Sequence, residues 1–299
     1  MRRLTPLFLF CLLPALTGFS GPDRPKVPPR FKSDVDLVLV RVTVTDSLNR
    51  YVVGLEKDHF KVFEDKIEQQ VLHFSNQKAP ISVGFVLDTS GSMADNILAA
   101  KNSIARFLEQ GDPEDEYFLV TFNETSRLAQ DYTNRRENVQ NAISISEAKG
   151  RTAIYDAVYL GLEKMRGARN DKKALIVITD GEDNSSRYTF SELKEFAKES
   201  DVQIYVIGER GDLGYGQGII NEIVGLSGGR AFFPSSFNQL DYYCDLIHTE
   251  LRNQYLIGYR PSNRDFDGKW RKIKVKLEPP EGLPRLSVRA REGYLAPTR

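Results

Sequence analysis

Three nearly continuous apolar runs in the middle of the chain restrict its fold most strongly. They read "ISVGFVLD", "ALIVITD" and "VQIYVIGE", and an acidic residue closes each of them. Strands with both faces covered carry such runs, and they are typical of parallel sheets. Amphipathic helical patterns separate the runs, for example at Ile97, Ala100 and Ile104 and in "FSELKEFAKES". This alternation predicts an α/β fold with a doubly wound, mostly parallel sheet, and "EYFLVTF" with "RLAQDY" predicts a hairpin within it.

Shorter segments with a period of two flank this middle part. "VLVRVTVTD", "YVVGL", "HFKVFED" and "EQQVLHF" precede it, while "KIKVKLE" and "LSVRARE" follow it. Alternation of apolar and polar residues is typical of half-buried antiparallel strands. Because each flank alone is too small to exclude water from a core, we expect one antiparallel β-sandwich built from residues 34–78 and 253–299. Residues 79–252 would then be an α/β domain inserted in this sandwich or flanked by it; two small separate modules are the alternative.

The N-terminus has the layout of a secretory signal peptide. Arg2 and Arg3 precede an apolar run, and small residues follow it up to Ser20. The run is too short to span a bilayer, so we expect residues 1–20 to be cleaved and the mature chain to have no transmembrane segment. The Pro-rich stretch 21–33 is predicted to be an extended linker. The protein is therefore expected to be secreted or periplasmic.

Charge and cysteine content exclude some classes of partner. The chain has 41 basic and 41 acidic side chains, so no bulk positive charge favours nucleic acid or an anionic membrane.

Cys11 would leave with the signal peptide, which leaves Cys244 without a partner. Leu240, Ile247 and Leu251 recur around it at helical spacing, so we expect a buried free thiol rather than a reactive one.

Oxygen-bearing side chains follow the apolar runs at three separated places. Asp88 ends the first run and is followed by Ser90 and Ser92; Asp180 ends another; Thr152 lies in a Gly-containing loop just before a helical pattern. The carboxyl ends of parallel strands share one edge of the sheet, so these residues are expected to meet there. Oxygen-only ligands are typical of a site for a hard dication such as Mg²⁺. The same residue types also serve as helix caps and turn formers, which is the alternative reading.

The pattern resembles the metal-ion-dependent adhesion site of the von Willebrand factor type A domain. That family carries Asp-x-Ser-x-Ser after a buried strand, a threonine after a Gly-rich loop, and Thr-Asp-Gly at the end of a later strand. All five positions are filled here, in family order, by Asp88, Ser90, Ser92, Thr152 and Asp180. The resemblance covers residues 79–252 and implies that these five residues form a metal site.

The flanking segments widen the resemblance. "VTDSLNRYVVGLEKDHFKVFEDKIEQQVLHF" and "YLIGYRPS…GYLAP" are similar to the bacterial VWFA-related family of exported proteins. Two residues depart from the usual pattern: Arg151 stands where a second glycine is common, and Lys66 stands at a turn position where that family usually has glycine.

The resemblance implies a binding function. In the family the serines and the threonine typically contact the metal, and a cation held by neutral hydroxyls accepts a carboxylate from a protein ligand. We therefore expect an exported, divalent-cation-dependent protein-binding or adhesion module that uses Mg²⁺, with Mn²⁺ and Ca²⁺ as alternatives, and a partner that presents Asp or Glu. The rival hypothesis is a structural or assembly protein that uses its β-sandwich, with the metal site incidental or empty.

No enzymatic chemistry can be assembled from the sequence. "FVLDTSGS" approaches the motif of aspartic proteases, but those enzymes need a second such motif and an all-β fold. A phosphatase that uses the strand-end aspartate would need a second carboxylate at position 90, where this chain has serine. The three histidines are scattered, and "GYGQG" has the glycines of a flexible loop without the Lys-Ser/Thr of a P-loop. We therefore expect a protein that is not an enzyme.

Overall fold

The computed structural model describes residues 37–208, 216–280, 282–283 and 285–298, without the side chains of residues 216, 217 and 219. The signal peptide predicted at residues 1–20 and the linker predicted at 21–33 lie outside the described residues. The described residues belong to a single compact unit.

Strands and helices of the described residues follow each other in the predicted alternation. The strands are β1 Val38–Thr45, β2 Phe60–Glu64, β3 Ile67–Gln69, β4 Val71–Ser75, β5 Ile81–Asp88, β6 Glu116–Phe122, β7 Ser126–Thr133, β8 Lys172–Thr179, β9 Gln203–Gly208, β10 Arg230–Phe232, β11 Tyr255–Tyr259, β12 Trp270–Leu277, β13 Ser287–Ala290 and β14 Gly293–Leu295. The helices are α1 Ile97–Glu109, α2 Arg136–Ser144, α3 Ile154–Met165, α4 Phe190–Glu199, α5 Gly216–Ser227 and α6 Leu240–Arg252.

A six-stranded sheet forms the centre of the α/β part. Its order is β10-β9-β8-β5-β6-β7, and every neighbouring pair is parallel except β6 with β7. One face of the sheet packs against α1, α2 and α6, and the other packs against α3, α4 and α5. Strand β5 lies between β6 and β8 and is buried over its whole length. The predicted doubly wound, mostly parallel α/β sheet is therefore confirmed.

Two four-stranded antiparallel sheets flank this part and share one hydrophobic cluster. Their orders are β13-β1-β11-β4 and β14-β12-β2-β3. The cluster between them includes Val40, Phe60, Val62, Tyr255 and Tyr259. Strand β1 pairs with β11 and β13, and β2 pairs with β12, so both flanks of the chain contribute to each sheet. The antiparallel sandwich is built in this way from strands that precede and follow the α/β part.

Two flanking segments differ from the expected strands. "YVVGL" forms no strand: Tyr51 makes only an isolated bridge to Thr45, because the carboxylate of Asp46 accepts the backbone N–H groups of Leu48 and Arg50 and closes a loop. "EQQVLHF" spans parts of two short strands, β3 and β4, which lie in different sheets.

The loop predicted for "GYGQG" is also wrong in part. Residues 214–215 lie outside the described residues, and α5 already begins at Gly216. Ile223 and Val224 of this helix pack in the core beside α3 and α4. Burial of this apolar face outweighs the low helix propensity of the glycines.

Cys244 lies on the buried face of α6, as its spacing predicts. It is a free cysteine with no exposed surface, and burial raises the pKa of its thiol well above its ordinary value. The thiol is therefore a packing group in the α1–α6 core.

Candidate metal centre

Asp88 is held between two neighbouring strand ends. It is the last residue of β5 and is fully buried. Its Oδ1 accepts a hydrogen bond from the backbone N of Ser90 at 2.7 Å, and its Oδ2 accepts one from the hydroxyl of Thr179 at 2.6 Å. Thr179 is the last residue of β8, the parallel neighbour of β5. The position of the carboxylate therefore follows directly from the register of the sheet.

Ser90, Ser92 and Asp180 form a continuous hydrogen-bonded chain at this edge. The two serine hydroxyls lie 3.0 Å apart, and Ser92 Oγ donates to Asp180 Oδ1 at 2.6 Å. Asn96, at the start of α1, donates its side-chain amide to Asp180 Oδ2 at 3.3 Å. The oxygens of the loop after β5 and the loop after β8 are thus in direct contact.

Thr152 reaches the same space from the loop between α2 and α3. A Cβ placed on Gly181 would lie 3.3 Å from Thr152 Oγ1 and 3.7 Å from Ser92 Oγ. Both hydroxyls therefore lie within 4 Å of one point, beside Asp180. Glycine at position 181 leaves this space open. The structure brings all five side chains chosen from the sequence to one end of the sheet.

Backbone hydrogen bonds join the loops that carry these side chains. Gly91 N donates to Gly150 O at 2.9 Å, and Lys149 N donates to Thr89 O at 2.8 Å. These bonds tie the loop after β5 to the loop before α3. Such cross-links limit how far the oxygens can move relative to one another.

Glu124 supports the loop before α3 and was not identified from the sequence. Its carboxylate accepts the backbone N of Arg151 at 3.1 Å. A Cβ on Gly150 would lie 1.7 Å from its Oε2, and Gly150 has a φ of +84°. The positive φ favours glycine at this position, and a Cβ there would also displace the Glu124 carboxylate from the loop. Position 151 needs no glycine, because Arg151 does not have a positive φ. Its guanidinium donates to the carbonyl of Asn184.

Thr179 and Asn184 are further supporting residues. Thr179 belongs to the Thr-Asp-Gly motif, so its hydrogen bond to Asp88 has a sequence signal. Asn184 Oδ1 accepts the backbone N–H of Thr152, which lies 32 positions away in the chain. No local sequence pattern predicts this contact.

Burial dominates the electrostatics of the centre. Burial raises the pKa of Asp88, and the nearby charge of Asp180 acts in the same direction. Hydrogen bonds from Thr179 and Ser90 oppose this shift by stabilising the carboxylate. A second charge of the same sign close to a buried carboxylate is unfavourable, and a cation between the two would offset both costs. Four of the five side chains are buried, and Ser92 is exposed.

The donor set suits a small, hard dication. It consists of three hydroxyls and two carboxylates and contains no nitrogen or sulfur donor. Mg²⁺ takes oxygen ligands and keeps several waters, so few protein oxygens are needed. Among the residues that the structure describes, no three His, Cys, Asp or Glu side chains converge as an alternative metal site.

This chain is similar to one protein family and to several solved structures. The sequence profile of the von Willebrand factor type A domain matches residues 82–245, which is more than half of the chain. No curated protein matches. Among solved structures, a von Willebrand factor type A protein from Catenulispora acidiphila is similar over 89% of this chain and 74% of its own, with a TM-score of 0.54 and 12% identity. Proximal thread matrix protein 1 from the mussel byssus is similar over 63% of this chain and 51% of its own, with a TM-score of 0.51 and 20% identity.

The PilB minor pilin from Streptococcus sanguinis has a TM-score of 0.49 and 18% identity, over 60% of this chain and 63% of the pilin. At these identities the likeness to solved structures concerns the fold. The profile match lies within the six-stranded α/β part, and it includes all five residues of the candidate centre. This chain belongs to the von Willebrand factor type A domain family.

Proposed function

We propose that this protein is an exported, non-enzymatic binding module that takes Mg²⁺ at Asp88, Ser90, Ser92, Thr152 and Asp180. A bound Mg²⁺ would supply a positive charge that accepts a carboxylate oxygen from a protein partner. One observation carries the proposal: three loops bring these oxygens together at the carboxyl end of the sheet. The Ser92 hydroxyl lies 2.6 Å from Asp180 and 3.0 Å from Ser90, and Thr152 Oγ1 and Ser92 Oγ both lie within 4 Å of one point beside Gly181.

The distribution of charge and exposure favours an acidic partner. Ser90, Ser92 and Thr152 contribute neutral hydroxyls, so a dication among them would keep uncompensated positive charge. Since Ser92 is the exposed member of the set, a partner would approach from its side. An Asp or Glu of another protein provides the oxygen anion that a hard cation prefers. Mn²⁺ and Ca²⁺ are the alternative ions.

A binding role is supported by the family and by the residue at position 90. Von Willebrand factor type A domains are commonly protein-interaction and adhesion modules. The acid–base role that a phosphatase would assign to position 90 falls on a serine, whose hydroxyl bonds to Ser92. Export is supported by the sequence of residues 1–20. No helix of the described residues combines the length and the apolar character needed to cross a bilayer.

Calorimetric titration with Mg²⁺ tests the metal site. We expect the wild type to bind one Mg²⁺ and the variants Asp88→Ala and Ser92→Ala to lose at least about 100-fold in affinity, since each removes a group of the centre. Asp58→Ala, which removes an exposed aspartate of the sandwich, is the matched control and should bind as the wild type does. Equal Mg²⁺ affinity in all four proteins would refute the proposed site.

Pull-down of partners separates the two functional hypotheses. Capture that needs Mg²⁺, is reversed by EDTA and is lost in Ser92→Ala supports the binding module. Capture that is unaffected by EDTA and by Ser92→Ala would instead support a structural role of the sandwich.

A further inference from the structure

Both backbone groups of Thr152 are held by a single residue, Asn184. The backbone N of Thr152 donates to the Asn184 Oδ1 at 3.0 Å, and the backbone N of Asn184 donates to the Thr152 carbonyl at 2.9 Å. The guanidinium of Arg151 donates to the carbonyl of Asn184 as well. Three hydrogen bonds therefore join Asn184 to residues 151 and 152.

These bonds connect two of the three loops of the candidate centre. Asn184 follows Asp180 by four positions, whereas Thr152 belongs to the loop before α3. The remaining loop, after β5, is tied to the loop before α3 at Gly150 and Lys149, and to Asp180 through the Ser92 hydroxyl. Asn184 thus completes a closed set of contacts among the three loops.

We infer that Asn184 is a positioning residue that fixes the Thr152 hydroxyl in the metal centre. This inference rests on the proposed metal site. The direction of a threonine hydroxyl follows from its backbone position and its χ1 angle, and the β-branched side chain has few rotamers. A residue that holds both the N–H and the C=O of Thr152 therefore determines where its Oγ1 lies.

The side-chain amide suits this task. Thr152 is buried, so its N–H needs an acceptor to avoid the cost of an unsatisfied donor. Asn184 itself is exposed, so replacing its side chain removes little packing. Asn184→Ala removes the acceptor, whereas Asn184→Asp keeps an oxygen at the same position. Asn263→Ala is the matched control, because Asn263 Oδ1 accepts the backbone N of Asp265 at 3.0 Å in a loop of the sandwich.

Two readouts test the inference. In Mg²⁺ titration calorimetry we expect Asn184→Ala to bind about 10–100-fold more weakly than the wild type, as is usual for groups that orient a metal ligand, while Asn184→Asp restores binding. In the metal-free protein, we expect amide hydrogen exchange at Thr152, followed by NMR, to be about 10-fold faster or more in Asn184→Ala. Asn263→Ala should change neither quantity.

Unchanged exchange at Thr152 in Asn184→Ala would overturn the inference, whether or not the protein binds Mg²⁺. Faster exchange combined with wild-type Mg²⁺ affinity would also overturn it, because Asn184 would then order the loop without affecting the site. If the wild type itself binds no Mg²⁺, the proposed function fails, while the exchange experiment still decides whether Asn184 holds Thr152.

Discussion

Lys172 is a charged residue in a place that disfavours charge. It begins β8 and is buried, and its Nζ donates to the carbonyl of Leu251 at 2.8 Å. Burial and the nearby positive charges of Arg41 and Arg252 lower its pKa from 10.5 to about 8, against the opposing charge of Asp115. At neutral pH the folded protein therefore carries a buried ammonium group at a cost in stability.

The pH dependence of stability follows from this shift. Between about pH 8 and pH 10.5 the unfolded chain keeps a proton on Lys172 that the folded chain releases, so the contribution of Lys172 to stability rises with pH in this window. Below pH 8 both states are charged, and the cost is on the order of 3 kcal/mol. Removing the ammonium by Lys172→Met should therefore stabilise the protein at pH 7, by about 1–2 kcal/mol after the loss of one hydrogen bond.

Urea unfolding of wild type and Lys172→Met at pH 7 and at pH 9.5 measures this effect. The advantage of the variant should shrink or reverse at the higher pH. An advantage that is the same at both pH values would show that the charge of Lys172 is not the cause.

Single residues of the candidate centre could be found from the sequence, whereas those that support them mostly could not. Asp88, Ser90 and Ser92 lie within five positions, at the end of a strand that its composition identifies. Asn184 and Glu124 act through contacts with backbone groups 32 and 27 positions away, and such partners have no local signal. Sequence patterns therefore predict the oxygens of the site but not the contacts that orient them.

The tight turn between β2 and β3 has unfavourable backbone angles for its sequence. Asp65 and Lys66 both have positive φ values, +46° and +74°, as a two-residue hairpin turn of type I′ requires. Lys66 is exposed, and a side chain in this conformation costs about 1–2 kcal/mol, more than the entropy that a glycine would lose.

Lys66→Gly should therefore raise the free energy of unfolding by about 0.5–1 kcal/mol. Chemical denaturation of the wild type, Lys66→Gly and Lys66→Ala checks this. Lys66→Ala keeps a Cβ and should not gain stability. A gain of equal size in both variants would mean that removal of the lysine side chain, rather than relief at positive φ, is responsible.

For strands and helices, hydrophobic periodicity and composition predict the element correctly where its apolar residues pack into the core. Strand β5 and helix α4 lie where the apolar run and the amphipathic pattern place them. The strand predicted for "YVVGL" is wrong because the carboxylate of Asp46 organises a loop there. Helix α5 was not predicted because its glycines favour a loop locally. Tertiary contacts decide both cases, and they are not visible in a short window of sequence.

The sandwich and the α/β part meet at a buried charge. Glu250 of α6 has no exposed surface and pairs with Arg289 of β13. Its Oε1 also accepts hydrogen bonds from Tyr205 of β9 at 2.8 Å and from Thr43 of β1 at 3.2 Å. One carboxylate thus joins the last helix of the α/β part to the central sheet and to two strands of the sandwich.

Glu250→Gln should lower the free energy of unfolding by about 3 kcal/mol, because it leaves Arg289 largely buried without a counter-charge. Urea denaturation provides the measurement. Asp245→Asn is the control on the same helix: it breaks an exposed pair with Arg106 and should cost less than about 1 kcal/mol. Similar small losses in both variants would show that Glu250 does not connect the two parts.

Crystallographic location of a bound ion is the decisive test of the proposed metal centre. Crystals soaked in Mn²⁺ give an anomalous difference signal at the metal, and Mn²⁺ favours the same oxygen ligands as Mg²⁺. We expect one peak at the carboxyl end of the sheet, in contact with the hydroxyls of Ser90, Ser92 and Thr152 or with waters held by Asp88 and Asp180. Absence of a peak there at millimolar Mn²⁺, or a peak only elsewhere, would refute the metal centre.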